Sequence, residues 1–380
     1  MENFVYYNPT QLIFGKNATD KLGELTSQLG KTVLLVTGKG SVKKYGYFDL
    51  VSNQLKSAGC RVIEYDGIKA NPLVDDVEKA SQIAIEENVD VIVALGGGSV
   101  IDSAKIIAVS AASELDPWKI MTWKAKPKKA LPLVAVLTLA ATGTEMNDAA
   151  VLQNHKTGQK IGYVSPLLYP KISFLDPSFT VTVPKNQTAY GIVDLIAHSL
   201  EAYFGDGESP LADRFVFSII SDAMENTPEL MQNLSDYELR AKIMLDATCA
   251  LNGITTLGKK VGDWGVHGLG HELSLLYDLP HGASLSIAYP AWLKFHSEKL
   301  ADKISKLGEN VFKTKDVNET IAQFEKFFES IESPINLKQA GISALEEEII
   351  YKQMLKNQVS GIKHKLNAED LKNIVHCMIG

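Results

Sequence analysis

Asp194, His198, His267 and His281 form a set of side chains that could bind a metal ion. Asp194 and His198 lie four positions apart in a run with helical apolar spacing, so both side chains share one helix face. His267 and His281 lie in a second segment, residues 263–282. One carboxylate and three imidazoles suit a divalent first-row metal such as iron or zinc. The alternative for each histidine taken alone is a core or surface residue that binds no metal.

Gly96, Gly97 and Gly98 form a loop between an apolar run and a helical pattern. Because glycine has no side chain, the backbone of such a loop can approach a ligand closely, and the N–H groups of the following helix attract phosphate. The pattern is neither GxGxxG nor a P-loop that ends in Gly-Lys-Ser/Thr. The loop predicts a pyrophosphate site, with a tight strand-to-helix connection as the alternative.

A second polar loop, residues 138–147, follows the next apolar run and contains three threonine hydroxyls. Threonine and glycine occur in many loops, so this segment alone indicates little. Two polar loops after neighbouring parallel strands, however, line the crevice in which α/β sheets bind nucleotides. The two loops together therefore predict a nucleotide site.

The predicted secondary structure differs between the two halves of the chain. Before residue 185, short β-branched runs alternate with helical patterns. They predict strands at 32–37, 89–95 and 131–137 and helices at 48–57 and 74–88. Alternation of this kind predicts a parallel sheet covered by helices on both faces.

From residue 186 onward the strand signals vanish. Apolar residues recur every three or four positions in seven segments, which are 187–205, 211–226, 236–256, 286–296, 299–311, 317–331 and 344–355. We therefore predict a dinucleotide-binding α/β domain over residues 1–185 and an all-helical metal and substrate domain over residues 186–380.

Composition argues against several classes of protein. The 380 residues are too many for one ordinary core and predict two domains. A formal charge of −7, with only a short basic run at 124–129, argues against nucleic acid or an acidic membrane as partner. No apolar stretch approaches the length of a membrane span, and residues 1–7 lack the features of a signal peptide. The three cysteines show no CxxC spacing and fit a reducing cytoplasm.

The residues described so far resemble those of the iron-containing (group III) alcohol dehydrogenases, especially the branch of butanol dehydrogenases and NADPH-dependent aldehyde reductases. The resemblance runs nearly end to end. Besides the two metal segments, the similar stretches are 8–10, 14–16, 38–44, 71–72, 96–105, 138–145 and 176–180. The metal segments are the most specific, because they place four ligands at the spacing of the family.

The resemblance implies a dehydroquinate synthase-like fold, with an N-terminal dinucleotide-binding α/β domain and an all-α C-terminal metal-binding domain. Asp194, His198, His267 and His281 are implied to bind one divalent metal, iron or zinc. His271 is implied to border the substrate. It is the best candidate for a catalytic proton relay, with a purely structural role as the alternative. His155, His296, His364 and His376 show no such pattern and are predicted to be surface residues.

Further residues are implied to contact the cofactor. Gly97, Gly98 and Ser99 match the pyrophosphate contacts, and Asp102 matches a residue beside the nicotinamide ribose. Thr138, Leu139 and Thr142 are implied to line the stretch from adenosine to ribose. Asn147 is implied to lie near the nicotinamide, Lys160 at a ribose hydroxyl and Asn71 near the adenine.

The turn after the first predicted strand bears on cofactor choice. Enzymes selective for NAD commonly place an acid at this strand end, where it binds the ribose hydroxyls and repels a 2′-phosphate. Residues 38–44 contain no acid. Gly38 leaves room, Ser41 can donate a hydrogen bond, and the lysines of the turn could offset phosphate charge. The turn therefore predicts a preference for NADPH over NADH, with lysines that only solvate the turn as the alternative.

The implied activity is metal-dependent hydride transfer between NADP, or NAD, and a primary alcohol/aldehyde pair such as butanol and butanal. The implied enzyme is cytoplasmic and homodimeric, with residues 4–7 and 11–14 as strands that pair across a twofold axis. Polyol dehydrogenases acting on glycerol or propanediol, dehydroquinate synthases and non-enzymatic nucleotide sensors are the alternatives with this fold. A metallohydrolase fits less well, because residues 267–272 contain no HExxH motif.

Overall fold

The structure of the protein is a computed structural model that describes residues 1–380. The chain divides into two compact units. The α/β unit contains Tyr7–Val183 and Leu234–Met244. The helical unit contains Met1–Tyr6, Pro184–Asn233 and Leu245–Gly380.

The α/β unit is built on a six-stranded sheet in the order β1-β8-β5-β4-β2-β3, in which every neighbouring pair is parallel. The strands are β1 Gln11–Phe14, β2 Thr32–Gly38, β3 Arg61–Ile68, β4 Val91–Gly96, β5 Leu133–Leu137 and β8 Ile172–Leu175, and a separate antiparallel hairpin contains β6 Ala149–Asn154 and β7 Gln159–Val164. The helices of this unit are α1 Leu22–Leu29, α2 Ser41–Lys44, α3 Tyr47–Ser57, α4 Val74–Glu86, α5 Gly98–Ser113 and α6 Pro117–Met121.

Strand β2 shows why the sheet is covered on both faces. Val33 and Leu35 pack in one hydrophobic cluster, and the alternate residues Leu34 and Val36 pack in another. Because successive side chains of a strand point to opposite faces, a strand that is apolar at every position must be buried on both. The predicted parallel sheet is confirmed, and its predicted strands correspond to β2, β4 and β5.

The predictions for the α/β half were wrong for one strand and incomplete for several others. Residues 4–7 do not form a strand, and only Gln11–Phe14 does, as edge strand β1. Strands β3 and β8 and the hairpin of β6 and β7 were not predicted. The hairpin strands include polar residues such as Gln153, Asn154 and Lys160, so they lack the continuous apolar runs by which β2, β4 and β5 were recognised.

The helical unit is confirmed as helical, since between residues 184 and 380 the only strand-like pairing is a single bridge between Asp206 and Val261. Its helices, with α9 reaching into both units, are α7 Lys185–Phe204, α8 Pro210–Gln232, α9 Tyr237–Leu251, α10 Gly265–Tyr277, α11 His281–Phe295, α12 Ala301–Val311, α13 Val317–Ser330, α14 Glu347–Lys356 and α15 Ala368–Ile379. Helix α10 was absent from the predicted helical segments. Its glycines Gly265, Gly268 and Gly270 lower the intrinsic helix propensity, and packing against α11 overrides that preference. None of the helices is both long enough and apolar enough to cross a membrane.

The prediction of four surface histidines is correct for His155 and His376 and wrong for His296 and His364. His296 and His364 are buried, with ring centroids 5.5 Å apart, and both contact the indole of Trp292. His364 also makes a hydrogen bond between its Nε2 and the carbonyl of Phe204. A histidine that stays neutral can be buried in a hydrophobic core. The residue type alone does not show which histidines are buried.

The burial of His296 makes the stability of the fold sensitive to acid. Burial, together with the nearby His364 and Lys299, lowers the pKa of His296 to about 4, against the opposing charge of Asp370. The unfolded chain therefore binds a proton more readily, so stability is full above about pH 6.5 and declines as the pH falls toward 4. The free energy of unfolding should therefore be lower at pH 5 than at pH 7. We expect His296→Leu to make this difference about 2 kcal/mol smaller than it is in the wild type.

Urea unfolding of wild type and His296→Leu at both pH values measures this effect. His155→Leu, at an exposed position, is the matched control and should retain the wild-type difference. An unchanged pH dependence in His296→Leu would contradict the assignment.

Candidate metal and nucleotide sites

Helix α7 carries the first two predicted metal ligands in its buried middle. The helix starts after Pro184, and from Thr188 onward nearly all of its residues are buried. A helix buried all round has apolar residues on every face, so polar side chains inside it need partners. Asp194 and His198 are such residues, with 2% and 5% of their surface exposed.

The other two ligands come from the starts of α10 and α11. His267 lies in the first turn of α10, and His281 is the first residue of α11, after Pro280. Gly282 explains how His281 reaches α7, because a Cβ at this position would lie 2.0 Å from the carbonyl oxygen of Tyr190. The backbones of α7 and α11 can therefore approach closely only with glycine there.

The four predicted ligands lie around one carboxylate oxygen. Asp194 Oδ1 is 3.7 Å from His198 Nδ1, 3.8 Å from His267 Nε2 and 3.5 Å from His281 Nε2. Ligand atoms of Asp194, His267 and His281 all lie within 4.8 Å of one another. Two ligand atoms that are each about 2.1 Å from a tetrahedral metal lie about 3.4 Å apart. The separations are therefore close to those that a single ion requires.

The hydrogen-bonding state of these atoms also fits a metal. Asp194 Oδ1, His198 Nδ1 and His267 Nε2 are buried and make no hydrogen bond. Separations of 3.5 Å or more are too long for hydrogen bonds among the ligands themselves. Buried polar atoms without partners are costly, and coordination of a cation would satisfy all three.

The electrostatics of Asp194 and His198 favour the charge states that metal binding needs. Burial alone would raise the pKa of Asp194, but the histidines His198 and His281 outweigh it and hold that pKa below its ordinary value. Burial lowers the pKa of His198 to about 4, so its imidazole is neutral at pH 7. Asp194 is thus an anion and His198 a neutral donor. The pKa of His267 behaves differently, because the nearby carboxylates of Asp194 and Glu201 overcome the effect of burial and raise it to about 9.

Glu201 is a residue of this site to which the sequence patterns assigned no role. It is 1% exposed, and its Oε1 lies 2.9 Å from His267 Nδ1. The sequence spacing could have identified this residue. Glu201 follows Asp194 by seven positions and His198 by three, which places all three side chains on the same face of α7.

His271, the predicted proton relay, lies one turn after His267 on α10. Its ring centroid is 5.4 Å from that of His281 and 6.4 Å from that of His267. The side chain is 9% exposed. It therefore borders the ligand cluster without belonging to the group of mutually close ligand atoms.

The glycine loop lies in the α/β unit, at the N-terminus of the 16-residue helix α5. A Cβ at Gly98 would lie 2.6 Å from Thr142 Cγ2, and one at Gly97 would lie 3.2 Å from Leu139 Cβ. The loop 138–147 therefore packs directly on the glycine backbone, as predicted for two loops that follow neighbouring strands. No side chain caps the N-terminus of α5, which leaves this helix end as a potential anion site.

Helix α5 also holds the second loop in place through two buried polar side chains. Asp102 accepts hydrogen bonds from the Thr144 hydroxyl at 2.6 Å and from the Val151 N–H at 2.9 Å. Lys105 donates to both carbonyl oxygens of Asn147 and to the Ala149 carbonyl, at 2.8–2.9 Å. Burial lowers the pKa of Lys105 to about 8, against the opposing carboxylates around it. Asp102 and Asn147 therefore have structural hydrogen-bond partners within the α/β unit.

Other predicted cofactor residues also bond to one another. The Lys160 ammonium donates to Asn71 Oδ1 at 2.9 Å, and both residues are buried. The Ser99 hydroxyl donates to the carbonyl of Ala70, the residue before Asn71. Thr138, which follows β5, donates its N–H to the Gly96 carbonyl at 3.0 Å. Lys160 and Asn71 are thus hydrogen-bonded directly, and Ser99 and Thr138 are bonded to the residues that precede Asn71 and Gly97 in the chain.

The turn after β2 has a neighbour that its sequence did not reveal. Gly38 ends β2 and Ser41 begins α2, and Ser41 is exposed. Lys43 of α2 forms ion pairs with Glu64 and with Asp66, the latter at 3.0 Å. Both carboxylates belong to β3, the adjacent strand. Residues 38–44 contain no acid, but the adjacent strand β3 brings two carboxylates to the turn.

Comparisons with known proteins agree with the two-part organisation of the chain. Residues 9–177 match the family described as iron-containing alcohol dehydrogenase. Residues 188–378 match the family described as Fe-containing alcohol dehydrogenase family, C-terminal. Together the two matches cover nearly the whole chain.

Named relatives are similar over their full length. The chain is 40% identical over 384 residues, 99% of both proteins, to "Probable NADH-dependent butanol dehydrogenase 1" of Bacillus subtilis (strain 168). It is 35% identical over 93% of both proteins to NADPH-dependent aldehyde reductase YqhD of Escherichia coli (strain K12). A 1,3-propanediol dehydrogenase of Klebsiella pneumoniae is more distant, at 31% identity over 93% of both. The crystal structure of NADH-dependent butanol dehydrogenase A from Thermotoga maritima has a TM-score of 0.96 and 37% identity, over 100% of this chain and 99% of that one.

Proposed function

The chain belongs to the iron-containing alcohol dehydrogenase family, and on that premise we propose that it transfers a hydride between NAD(P)H and a primary alcohol/aldehyde pair such as butanol and butanal. The observation that carries the proposal is the group of ligand atoms from Asp194, His267 and His281, which lie within 4.8 Å of one another with His198 beside them. A cation bound beside the substrate oxygen would polarise the carbonyl for hydride transfer.

We propose that Asp194, His198, His267 and His281 hold one divalent metal, iron or zinc. When bound, the metal would supply Lewis acidity toward the substrate oxygen, and NAD(P)H would supply the hydride. When coordinated, three neutral imidazoles and one carboxylate would offset only one of the two positive charges of the ion. The ligand set therefore leaves a net positive centre, which attracts the oxygen of an aldehyde or alcohol.

We further propose that His271 relays the proton that accompanies hydride transfer. Its place one turn from His267, with its ring 5.4 Å from that of His281, supports this role. An imidazole can accept a proton on one nitrogen while it donates from the other, so it can pass a proton between substrate and solvent. His271 is not one of the four proposed metal ligands.

For the cofactor, we propose that Gly97, Gly98 and Ser99 bind the pyrophosphate at the start of α5. The further contacts would come from Asn71, Asp102, Thr138, Leu139, Thr142, Asn147 and Lys160. Gly38 and Ser41 would border the adenosine ribose and favour NADPH. The names of the relatives divide between NADH and NADPH, so membership of the family does not decide the preference.

Two alternatives within the fold are less well supported. The propanediol dehydrogenase is more distant than the butanol dehydrogenase and the aldehyde reductase. A dehydroquinate synthase would need free basic residues near the metal to bind a phosphate. The nearby Lys259 donates to Asp213 and to the Ala202 carbonyl, and Lys260 pairs with Asp206. Both charges are thus already offset.

A substrate screen tests the proposed function. The purified protein should oxidise NADPH with butanal and neighbouring medium-chain aldehydes, and its activity should follow its measured content of iron or zinc. Glycerol and 1,3-propanediol should be poorer substrates in the reverse direction. A metal-loaded protein that turns over none of these aldehydes would reject the proposal, and a higher efficiency with the polyols would favour the alternative.

We propose that the protein is a cytoplasmic homodimer, and expect light scattering to give twice the chain mass of 41.5 kDa. The edge position of β1 and the exposed side chains of Phe4, Val5 and Tyr7 support this, because unpaired strand edges and exposed apolar residues favour association. Val5→Glu should weaken the dimer, and Leu345→Glu, at another exposed apolar residue, should not. A particle of one chain mass at micromolar concentration would contradict the proposal.

A further inference from the structure

We infer that Glu201 is a positioning residue of the metal site: its carboxylate caps helix α10 and thereby fixes the orientation of the ligand His267. The inference rests on the proposed metal site. It is carried by three hydrogen bonds that converge on one buried carboxylate.

The start of α10 lacks the cap that a helix normally has. The residue before the helix is Trp264, whose φ of 62° is in the left-handed region and whose side chain makes no capping hydrogen bond. The first N–H groups of a helix have no partner within it, and a short polar side chain at the N-cap usually accepts from one of them. The tryptophan cannot do so.

Glu201 supplies the missing acceptor from another helix. Its Oε2 accepts the N–H of Trp264 at 2.5 Å, and its Oε1 accepts the N–H of His267 at 2.9 Å. His267 occupies the third position of α10, which is where an N-cap side chain ordinarily bonds. The backbone of Glu201 adds a further contact, since its carbonyl accepts the N–H of Asp263. Glu201 therefore fixes the path of the chain into α10.

The same carboxylate orients the imidazole of His267. Oε1 lies 2.9 Å from His267 Nδ1, while Nε2 of that ring faces Asp194 Oδ1 at 3.8 Å. A hydrogen bond from Nδ1 to a carboxylate selects the tautomer whose Nε2 carries the lone pair, and that lone pair is what binds a metal. One carboxylate thus sets the position, the ring orientation and the tautomer of the ligand.

The geometry explains why a carboxylate is needed there. An ionised carboxylate accepts through both oxygens, and all three groups directed at Glu201 are N–H donors. A glutamine of the same shape has one accepting oxygen and one NH2 group, which cannot accept. In Glu201→Gln, either Trp264 or His267 must therefore face another donor.

The test measures metal affinity separately from folding. We expect Glu201→Gln to weaken Zn²⁺ binding roughly 10- to 100-fold in a competitive titration with a chromophoric chelator. We also expect a shifted d–d absorption band when Co²⁺ replaces the native metal, because the ligand field of His267 changes. The midpoint of thermal unfolding of the metal-free protein should be recorded in parallel.

Glu272→Gln is the matched control. Glu272 is also a buried carboxylate, on α10 itself, and it accepts hydrogen bonds from Gln353 and Asn357. Its replacement should lower the unfolding midpoint and leave Zn²⁺ affinity and the Co²⁺ spectrum unchanged. If Glu201→Gln behaves in the same way as this control, Glu201 has only a structural role and the inference is wrong.

The outcome separates this inference from the proposed function. A wild-type protein that binds metal and reduces aldehydes, together with a Glu201→Gln variant of normal metal affinity, would reject the inference alone. A wild-type protein that binds no metal would reject the proposed function instead. Should Glu201→Gln fail to fold, Glu201→Asp, which keeps the charge and shortens the side chain, should still bind Zn²⁺ more weakly than wild type. Normal affinity in Glu201→Asp would overturn the inference.

Discussion

His267→Ala should lose its bound metal and nearly all activity, with kcat/KM for aldehyde reduction reduced roughly a thousandfold or more. Lewis-acid stabilisation of the substrate oxygen is worth several kcal/mol, and each 1.36 kcal/mol corresponds to about a tenfold change in rate. His267 is one of only three residues whose ligand atoms lie within 4.8 Å of one another. Its removal also leaves the buried Glu201 carboxylate without the imidazole that it contacts.

Elemental analysis and steady-state kinetics on the same sample measure this result. His271→Ala is the matched control, because His271 lies one turn away on α10 and is not one of the proposed ligands. It should retain the metal, and a reduced kcat at full metal content would support its role as proton relay. Full metal occupancy and normal turnover in His267→Ala would remove the basis of the metal assignment.

Gly38→Asp should reverse the preference between the two cofactors, lowering the ratio of efficiencies with NADPH and NADH roughly 10- to 100-fold. A carboxylate at the end of β2 would repel the 2′-phosphate of NADPH and could accept hydrogen bonds from the ribose hydroxyls of NADH. The backbone tolerates the change. A Cβ at Gly38 would lie 3.4 Å from the Ile68 carbonyl oxygen and 3.6 Å from Val100 Cγ2, which are ordinary contacts.

Gly38→Asn is the control for this prediction, because asparagine matches the shape of aspartate without its charge. It should change the ratio much less than Gly38→Asp does. The ion pairs of Lys43 with Glu64 and Asp66 already offset the charge of one turn lysine, so we expect the wild-type preference for NADPH to rest mainly on the absence of an acid at Gly38. Wild-type kinetics that favour NADH, or an unchanged ratio in Gly38→Asp, would show that the turn does not set the preference.

The sequence alone was enough to predict the class of the fold and to identify four candidate metal ligands. Strands such as β2 are apolar at every position, and only a sheet covered on both faces buries such a strand. Asp194 and His198 are four residues apart on one helix, so local geometry alone brings them to the same face. Their convergence with His267 and His281 was implied by the resemblance to a family, since it depends on how α7, α10 and α11 pack.

Residues that act through long-range contacts could be identified only in the folded chain. Glu201 contacts His267 across 66 positions of the chain, and Glu64 and Asp66 reach Lys43 from a neighbouring strand. The burial of His296 and the hairpin of β6 and β7 were likewise not predicted from the sequence. A sequence pattern reports periodicity within one element, whereas burial, ion pairing and helix capping by a distant side chain are properties of the packed chain. These features therefore appear only when the elements have been assembled.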